Sequence, residues 1–181
     1  FSQDDRIEGE DRMSDSVAEH RARSPVEVGC AVITISDTRT LATDGGGQAV
    51  VDRLLAAGHR LAAREIVPDE PERMRALLAD YVARPDVDAV LMTGGTGIGG
   101  RDQTFETVSA LLTKPLPGYG ELFRMLSYAE IGAAAMLSRA LGGLIERTVV
   151  LTMPGSPAAV RLAMERLIVP ELPHLVREAR R

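Results

Sequence analysis

Short apolar runs alternate with segments of helical periodicity along most of the chain. The run at residues 28–35 is rich in β-branched residues, which is typical of a strand buried on both faces of a sheet. The predicted strands are residues 28–35, 60–67 and 88–93, and the predicted helices between them are residues 49–57 and 72–83. This order of strands and helices predicts βαβ units and therefore a parallel sheet with helices on both faces.

The second half of the chain predicts further helices and one hairpin. The helices are expected near residues 104–112 and over residues 121–131, 157–167 and 171–180. Residues 114–120 contain two prolines and two glycines, which predict a loop. Residues 140–153 resemble a hairpin, which would add one antiparallel strand to an otherwise parallel sheet.

The composition is typical of a globular protein. Of the 181 residues, 45% are apolar and 26% are charged. No apolar run approaches the roughly 20 residues of a membrane helix, and no signal peptide is recognisable, so we expect a cytoplasmic protein with no membrane contact. The net charge of −5 and the absence of Trp argue against nucleic acid as a partner. Cys30 is the sole cysteine and falls in a predicted buried strand, which fits an inert core residue.

Residues 1–24 differ from the rest of the chain. They are polar and lack periodicity, so we expect a disordered N-terminal tail. Met13 is a plausible natural start, and residues 1–12 therefore fit an origin in an expression vector. The predicted folded domain comprises residues 25–181.

A glycine cluster, GGTGIGG at residues 94–100, directly follows the third predicted strand. Glycines let backbone amides converge on an anion, and ligands of open α/β sheets bind beyond the carboxyl ends of the strands. The expected phosphate-binding loop consists of Gly94, Gly95, Thr96 and Gly97. Two alternatives stay open. The cluster could be a mobile turn, or residues 95–100 could be a GxGxxG motif of a nicotinamide-dependent oxidoreductase.

Acidic residues follow two of the predicted strands at the same edge. Asp102 lies just beyond the glycines, where Mg²⁺ would relieve the repulsion between its carboxylate and a bound phosphate. Alternatively, Asp102 is the N-cap of the next helix. Asp69 and Glu72 fit a capping box. If the second and third strands are near neighbours, Asp69 and Asp102 would instead face one cavity.

Other polar turns fall at this edge as well. Ser36, Asp37 and Arg39 follow the first strand, where Arg39 would grip phosphate and Asp37 would orient it, unless they form a simple polar turn. Residues 44–47 (DGGG) predict either a mobile flap or a helix entry.

A second sharp turn, MPGSP at residues 153–157, leads into a helix. Ser156 is suited to cap that helix and Pro157 to begin it. Because helix N-termini attract anions, this turn and residues 94–97 would give two phosphate-binding ends in one crevice. Such a crevice suits two phosphorylated substrates.

Seven motifs, taken in order, closely resemble the MoaB/Mog family of molybdenum cofactor biosynthesis. They are ISDTR (35–39), VPDE (67–70), TGGTG (93–97), RD (101–102), PGYGE (117–121), LSR (137–139) and MPGSP (153–157). Residues 36–44 (SDTRTLATD) look most like the MoaB branch. The resemblance spans about residues 26–178, the whole predicted domain.

The resemblance implies a molybdopterin-binding domain of three α/β/α layers, assembled as a homotrimer or homohexamer. In the Mog branch, the terminal phosphate of molybdopterin attacks the α-phosphate of MgATP and releases pyrophosphate. Asp69 and Asp102 match the family's functional acids, so Asp102 is expected at the Mg²⁺–phosphate assembly and Asp69 in substrate or metal positioning. The other matched pocket positions, besides the glycine loop, are Ser138, Arg139, Gly155 and Ser156.

Two roles are consistent with this resemblance. The first is an Mg²⁺-dependent adenylyltransferase with ATP and molybdopterin as substrates. The second is a non-catalytic protein that binds molybdopterin or acts as a scaffold for other cofactor-biosynthesis proteins. Pyrophosphate release in a turnover assay separates the two.

Overall fold

The computed structural model describes residues 27–181, so the tail predicted over residues 1–24 lies outside the described residues. The strands are β1 (Gly29–Ile35), β2 (Arg60–Val67), β3 (Ala89–Thr93), β4 (Lys114–Pro115), β5 (Gly142–Ile145) and β6 (Thr148–Met153). The α-helices are α1 (Gly45–Ala56), α2 (Pro71–Val82), α3 (Thr104–Leu111), α4 (Pro117–Ile131), α5 (Pro157–Ala163) and α6 (Val169–Ala179). A 3₁₀ segment, Gly132–Leu137, follows α4, and a π-helical turn, Met164–Ile168, joins α5 to α6.

The strands form one sheet in the order β2-β1-β3-β6-β5-β4. β5 runs antiparallel to both of its neighbours and the other pairs are parallel, which confirms the predicted sheet and hairpin. Thr34 of β1 is in register with Thr93 of β3, which is in register with Met153 of β6. The central strands therefore end at one level, and the loops that follow them share one edge of the sheet.

Helices cover both faces of the sheet. Leu91 of β3 packs in a core that includes Leu54 of α1 and Phe123 of α4. The next residue, Met92, packs in a second core with Met74 of α2. Because adjacent strand residues point to opposite faces, these two cores confirm the three-layer α/β/α architecture. None of the described helices has both the length and the apolar content needed to cross a membrane.

The prediction of a loop over residues 114–120 is wrong. Lys114 and Pro115 pair with β5, and α4 already begins at Pro117. Proline is tolerated at the first position of a helix, because its missing N–H has no intrahelical partner there. Gly120 is required by a contact between segments, since a Cβ at this position would overlap the carbonyl oxygen of Ala140.

The predicted break between two C-terminal helices is also wrong. Residues 157–179 form a continuous helical run, in which the π-helical turn Met164–Ile168 leads directly into α6 and leaves no break at residues 168–170. Pro170 follows this wider turn, in the first turn of α6, where the missing N–H of proline is best tolerated. A local change of helical pitch therefore replaces a loop.

The ends of β1, β3 and β6 meet at Gly94. Its amide donates to the carbonyl oxygen of Met153 (N···O 3.0 Å), and its φ is +101°. A Cβ on Gly94 would overlap the carbonyl oxygen of Ile35. Gly155, in the turn after β6, packs against Gly94 on another side. Only glycine fits at position 94, where these backbones meet.

We expect Gly94→Ala to lower the free energy of unfolding by about 1–3 kcal/mol, because alanine adds strain at positive φ as well as overlap with Ile35. Gly100→Ala is the matched control. Gly100 lies in the same loop and has no atom within 4 Å of an added Cβ, so its substitution should change stability by less than about 0.5 kcal/mol. Urea unfolding of both variants tests the prediction, and equal losses of stability would contradict it.

Candidate functional site

Two cavities open side by side at the edge where β1, β3 and β6 end. The larger cavity has a volume of about 430 Å³ and the smaller about 290 Å³. Gly94 and Gly155 line both cavities, so the boundary between them is made of backbone. This is the edge at which the sequence predicts a ligand.

The two glycine turns form one side of the larger cavity. The lining residues there are Gly94, Gly95, Thr96 and Gly97 after β3, and Pro154, Gly155 and Ser156 after β6. Ser156 caps α5 as predicted, because its Oγ accepts the amide hydrogen of Ala159 (3.3 Å). Both turns predicted to bind phosphate therefore border one crevice.

Asp102 and Ser138 also line the larger cavity. Asp102 Oδ2 accepts the amide hydrogen of Gly99 (2.9 Å), and α3 has no side-chain cap. The alternative prediction that Asp102 caps this helix is therefore wrong. A Cβ on Gly97 would lie 2.7 Å from the same Oδ2, so the glycine makes room for the carboxylate.

One wall of the larger cavity is apolar, and none of its residues was among the site residues predicted from the sequence. Phe123 of α4, Ile131 at the end of α4, and Ala134 and Leu137 of the 3₁₀ segment form this wall. Ile131 and Leu137 are 60% and 51% exposed, which is high for side chains of this type. The LSR motif offered a sequence signal for this wall, because Leu137 directly precedes Ser138, which was predicted to line the pocket.

Hydroxyl groups and the start of a helix line the smaller cavity. The contributing residues include Thr34, Ser36, Arg39, Thr43, Thr93, Gly45 and Gly46. Asp44 caps α1 by accepting the amide hydrogen of Gly47 (2.8 Å). Residues 44–47 thus form a helix entry, and the alternative of a mobile flap is wrong. The predicted ligands Ser36 and Arg39 belong to this smaller cavity.

Asp69 lies behind the glycine loop and is not among the residues that line either cavity. Its Oδ1 accepts the amide hydrogen of Gln103 (3.0 Å), and a Cβ on Gly95 would overlap its Oδ2. The capping-box prediction is wrong, since Glu70 precedes α2 and no side chain caps that helix. The expectation that Asp69 and Asp102 face one cavity is likewise corrected, because the loop backbone lies over Asp69.

Burial governs the ionisation of Asp69. Desolvation raises the pKa of this carboxyl above its ordinary value of 3.8, the hydrogen bond from Gln103 opposes the rise, and the negative charge of nearby Asp102 adds to it. The aspartate is therefore placed where a buried negative charge is costly.

Asp37 connects three loops through hydrogen bonds and an ion pair, and it is not among the residues that line either cavity. Its carboxylate forms a bidentate ion pair with Arg101 of the glycine loop (2.7 Å) and accepts the amide hydrogen of Asp69 (3.1 Å). The hydrogen bond from Arg101, followed by that from Asp69, lowers the pKa of Asp37. Asp37 thus joins the loops after β1, β2 and β3, and its role toward a bound phosphate stays a prediction.

Arg139 also differs from its predicted place. The family resemblance predicts it in the lining of the pocket, but its guanidinium donates to the backbone carbonyl oxygens of Gly97 (2.8 Å) and Asp102 (3.1 Å). Only its neighbour Ser138 lines the larger cavity. The LSR motif thus places one residue in the cavity wall and one behind the loop.

Comparison with known proteins identifies close relatives. Residues 31–174 match the family described as "Probable molybdopterin binding domain". Molybdenum cofactor biosynthesis protein B of Bacillus cereus is 56% identical over 168 residues, which cover 92% of this chain and 99% of that protein. A crystal structure of molybdenum cofactor biosynthesis protein B has a TM-score of 0.84 at 53% identity, with 87% of this chain and 99% of that chain covered. The tungsten cofactor synthesizing protein MoaB from Pyrococcus furiosus has a TM-score of 0.79 at 35% identity, with 87% and 100% covered.

We expect Asp69→Asn to remove a pH-dependent loss of stability. Because the pKa of Asp69 is raised in the folded protein, its contribution to the free energy of unfolding is most favourable below about pH 3.8. That contribution is lost as the pH rises through the higher pKa of the folded state. Asparagine keeps an Oδ1 that can accept the amide hydrogen of Gln103. At pH 7 the variant should therefore be at least as stable as the wild type.

Urea unfolding of both proteins between pH 3.5 and 7 measures this effect. The stability of Asp69→Asn relative to the wild type should increase with pH. A relative stability that falls over this interval would show that the carboxylate stabilises the fold in its charged form.

Proposed function

The chain belongs to the molybdopterin-binding domain family that includes the bacterial molybdenum cofactor biosynthesis proteins B, and from this membership we propose that it adenylylates molybdopterin. In the proposed reaction, AMP passes from ATP to the terminal phosphate of molybdopterin. The observation that carries the proposal is the meeting of two glycine turns at the boundary of two adjacent cavities. Such a boundary suits the encounter of two phosphorylated substrates.

The linings of the two cavities favour one assignment of substrates. The larger cavity combines a glycine-rich side with an apolar wall that includes Phe123 and Leu137, which suits a ring system that carries a phosphate. The smaller cavity is lined by threonine and serine hydroxyls, Arg39 and the N-terminal residues of α1, which suit the polyphosphate of ATP. The reacting phosphates would then meet beside Gly94 and Gly155.

The proposed step needs no nucleophile from the protein. An oxygen of the terminal phosphate of molybdopterin attacks the α-phosphorus of ATP, the bond to the bridging oxygen breaks, and pyrophosphate leaves with that electron pair. Backbone amides of the two turns can hold both phosphates in line, and such positioning provides much of the catalysis in phosphoryl-type transfer. Cys30 takes no part, since it is buried and desolvation raises its pKa to about 12.

Asp102 fits a magnesium ion that is shared with substrate phosphates. Mg²⁺ is commonly held by one or two carboxylates together with phosphate oxygens and water. In residues 27–181, no group of three His, Cys, Asp or Glu side chains is arranged to hold a metal by itself. Asp102 lines the larger cavity and would hold the ion, which would neutralise phosphate charge; Asp69 would contribute by positioning the loop.

We expect Asp102→Asn to lower turnover by about 100-fold, since a neutral amide cannot balance a cation beside the phosphates. Asp80→Asn is the control, because Asp80 is an exposed residue of α2. The assay mixes purified protein, molybdopterin, ATP and MgCl₂, and it measures pyrophosphate and adenylylated pterin. Wild-type protein that binds molybdopterin without releasing pyrophosphate would instead support the non-catalytic scaffold.

We also propose that the protein functions as a homotrimer or homohexamer. Leu122, Met125 and Tyr128 recur at three-residue intervals on α4 and are 47%, 60% and 66% exposed. An exposed apolar stripe of this kind is typical of an interface between subunits. Light scattering should give three or six times the chain mass of 19.4 kDa, and a monomer at micromolar concentration would contradict the assembly.

A further inference from the structure

Arg139 contacts both ends of the turn that carries Asp102. Its Nε donates to the carbonyl oxygen of Gly97 (2.8 Å), and its Nη2 donates to the carbonyl oxygen of Asp102 (3.1 Å). Between these points, the amide of Gly99 donates to Asp102 Oδ2. The guanidinium therefore bridges the turn from outside while the aspartate side chain closes it from inside.

The peptide group between Asp102 and Gln103 is held from both of its ends. Its carbonyl oxygen accepts from Arg139, and its N–H donates to Asp69 Oδ1 (3.0 Å). Carbonyl and N–H point in opposite directions in a trans peptide, so Arg139 and Asp69 fix one peptide plane between them. Hydrogen bonds on the two ends of a peptide polarise and strengthen each other.

Arg139 is itself held in place from two other directions. Its Nη1 forms an ion pair with Glu106 of α3, and its guanidinium lies over the ring of Phe105, 5.2 Å from the centroid. The side chain is 23% exposed. A planar guanidinium with several fixed N–H directions can make these contacts at once, whereas a lysine ammonium cannot reproduce the fork.

We propose that Arg139 is a positioning residue, which holds residues 97–102 so that the Asp102 carboxylate and the loop amides face the larger cavity. This inference rests on the proposed function, because the role of the held groups is defined by the adenylyl transfer. It assigns Arg139 no contact with substrate. It also explains why Arg139 belongs to a pocket motif and yet lies behind the pocket.

The test compares Arg139→Lys with the wild type and with Arg124→Lys. Arg124 also donates to a backbone carbonyl, that of Ala140 (3.2 Å), but it makes no described hydrogen bond to the glycine loop. Hydrogen–deuterium exchange followed by mass spectrometry reports on the loop independently of any substrate. Peptides that contain the amides of Gly99 and Gln103 should exchange about tenfold faster in Arg139→Lys, with no change in β3.

Steady-state kinetics supplies the second measurement. Arg139→Lys should lower kcat by about 10- to 100-fold and change the KM for ATP little, because the supporting residue is lost while the nucleotide cavity stays intact. Arg124→Lys should match the wild type in both measurements. A thermal unfolding midpoint near that of the wild type would separate this effect from general destabilisation.

The outcomes are distinguishable. Unchanged exchange of the loop amides in Arg139→Lys would overturn the inference whatever the activity. Faster exchange with unchanged kcat would overturn the positioning role. If the wild type makes no adenylylated pterin, the proposed function fails, and the exchange data still decide whether Arg139 holds the loop.

Discussion

The close approach of three strand ends at Gly94 is the constraint on which the candidate site depends. The carbonyl oxygen of Met153 fixes the amide of Gly94, and the carbonyl oxygen of Ile35 leaves no room for a side chain. The glycine loop therefore starts from a fixed point in the sheet. Since Gly155 packs against the same glycine, two cavities form side by side with only backbone between them.

Aspartates around this edge act first as acceptors for backbone amides. Asp44, Asp69 and Asp102 accept from Gly47, Gln103 and Gly99, respectively. These bonds satisfy backbone amides that no hydrogen bond within a helix or strand satisfies, and they give fixed shapes to segments rich in glycine. Among the three, Asp69 lies behind the glycine loop and Asp102 lines the larger cavity, so only Asp102 is placed where a ligand in that cavity could reach its carboxylate.

Local sequence pattern was sufficient for most of the fold. The strand predicted over residues 60–67 has the bounds of β2 in the structure, since Gly58 before it and Pro68 after it are local signals. The pattern failed at Gly120, because this glycine is required by the close approach of the Ala140 carbonyl oxygen and not by a loop, and that distant contact leaves no local signal. The sequence also predicted Arg139 at the correct edge of the sheet but on the wrong side of the glycine loop, because the local spacing of residues does not determine the path of a loop in three dimensions.

In the proposed reaction, two phosphorylated ligands meet beside Gly94 and Gly155. A crystal structure of the protein with molybdopterin and a non-hydrolysable ATP analogue, modified between its α- and β-phosphates, tests it most directly. We expect the pterin against Phe123 in the larger cavity, the polyphosphate in the smaller one, and the two reacting phosphates in contact beside Gly94 and Gly155. Binding of either ligand outside these cavities, or of one ligand across both, would contradict it.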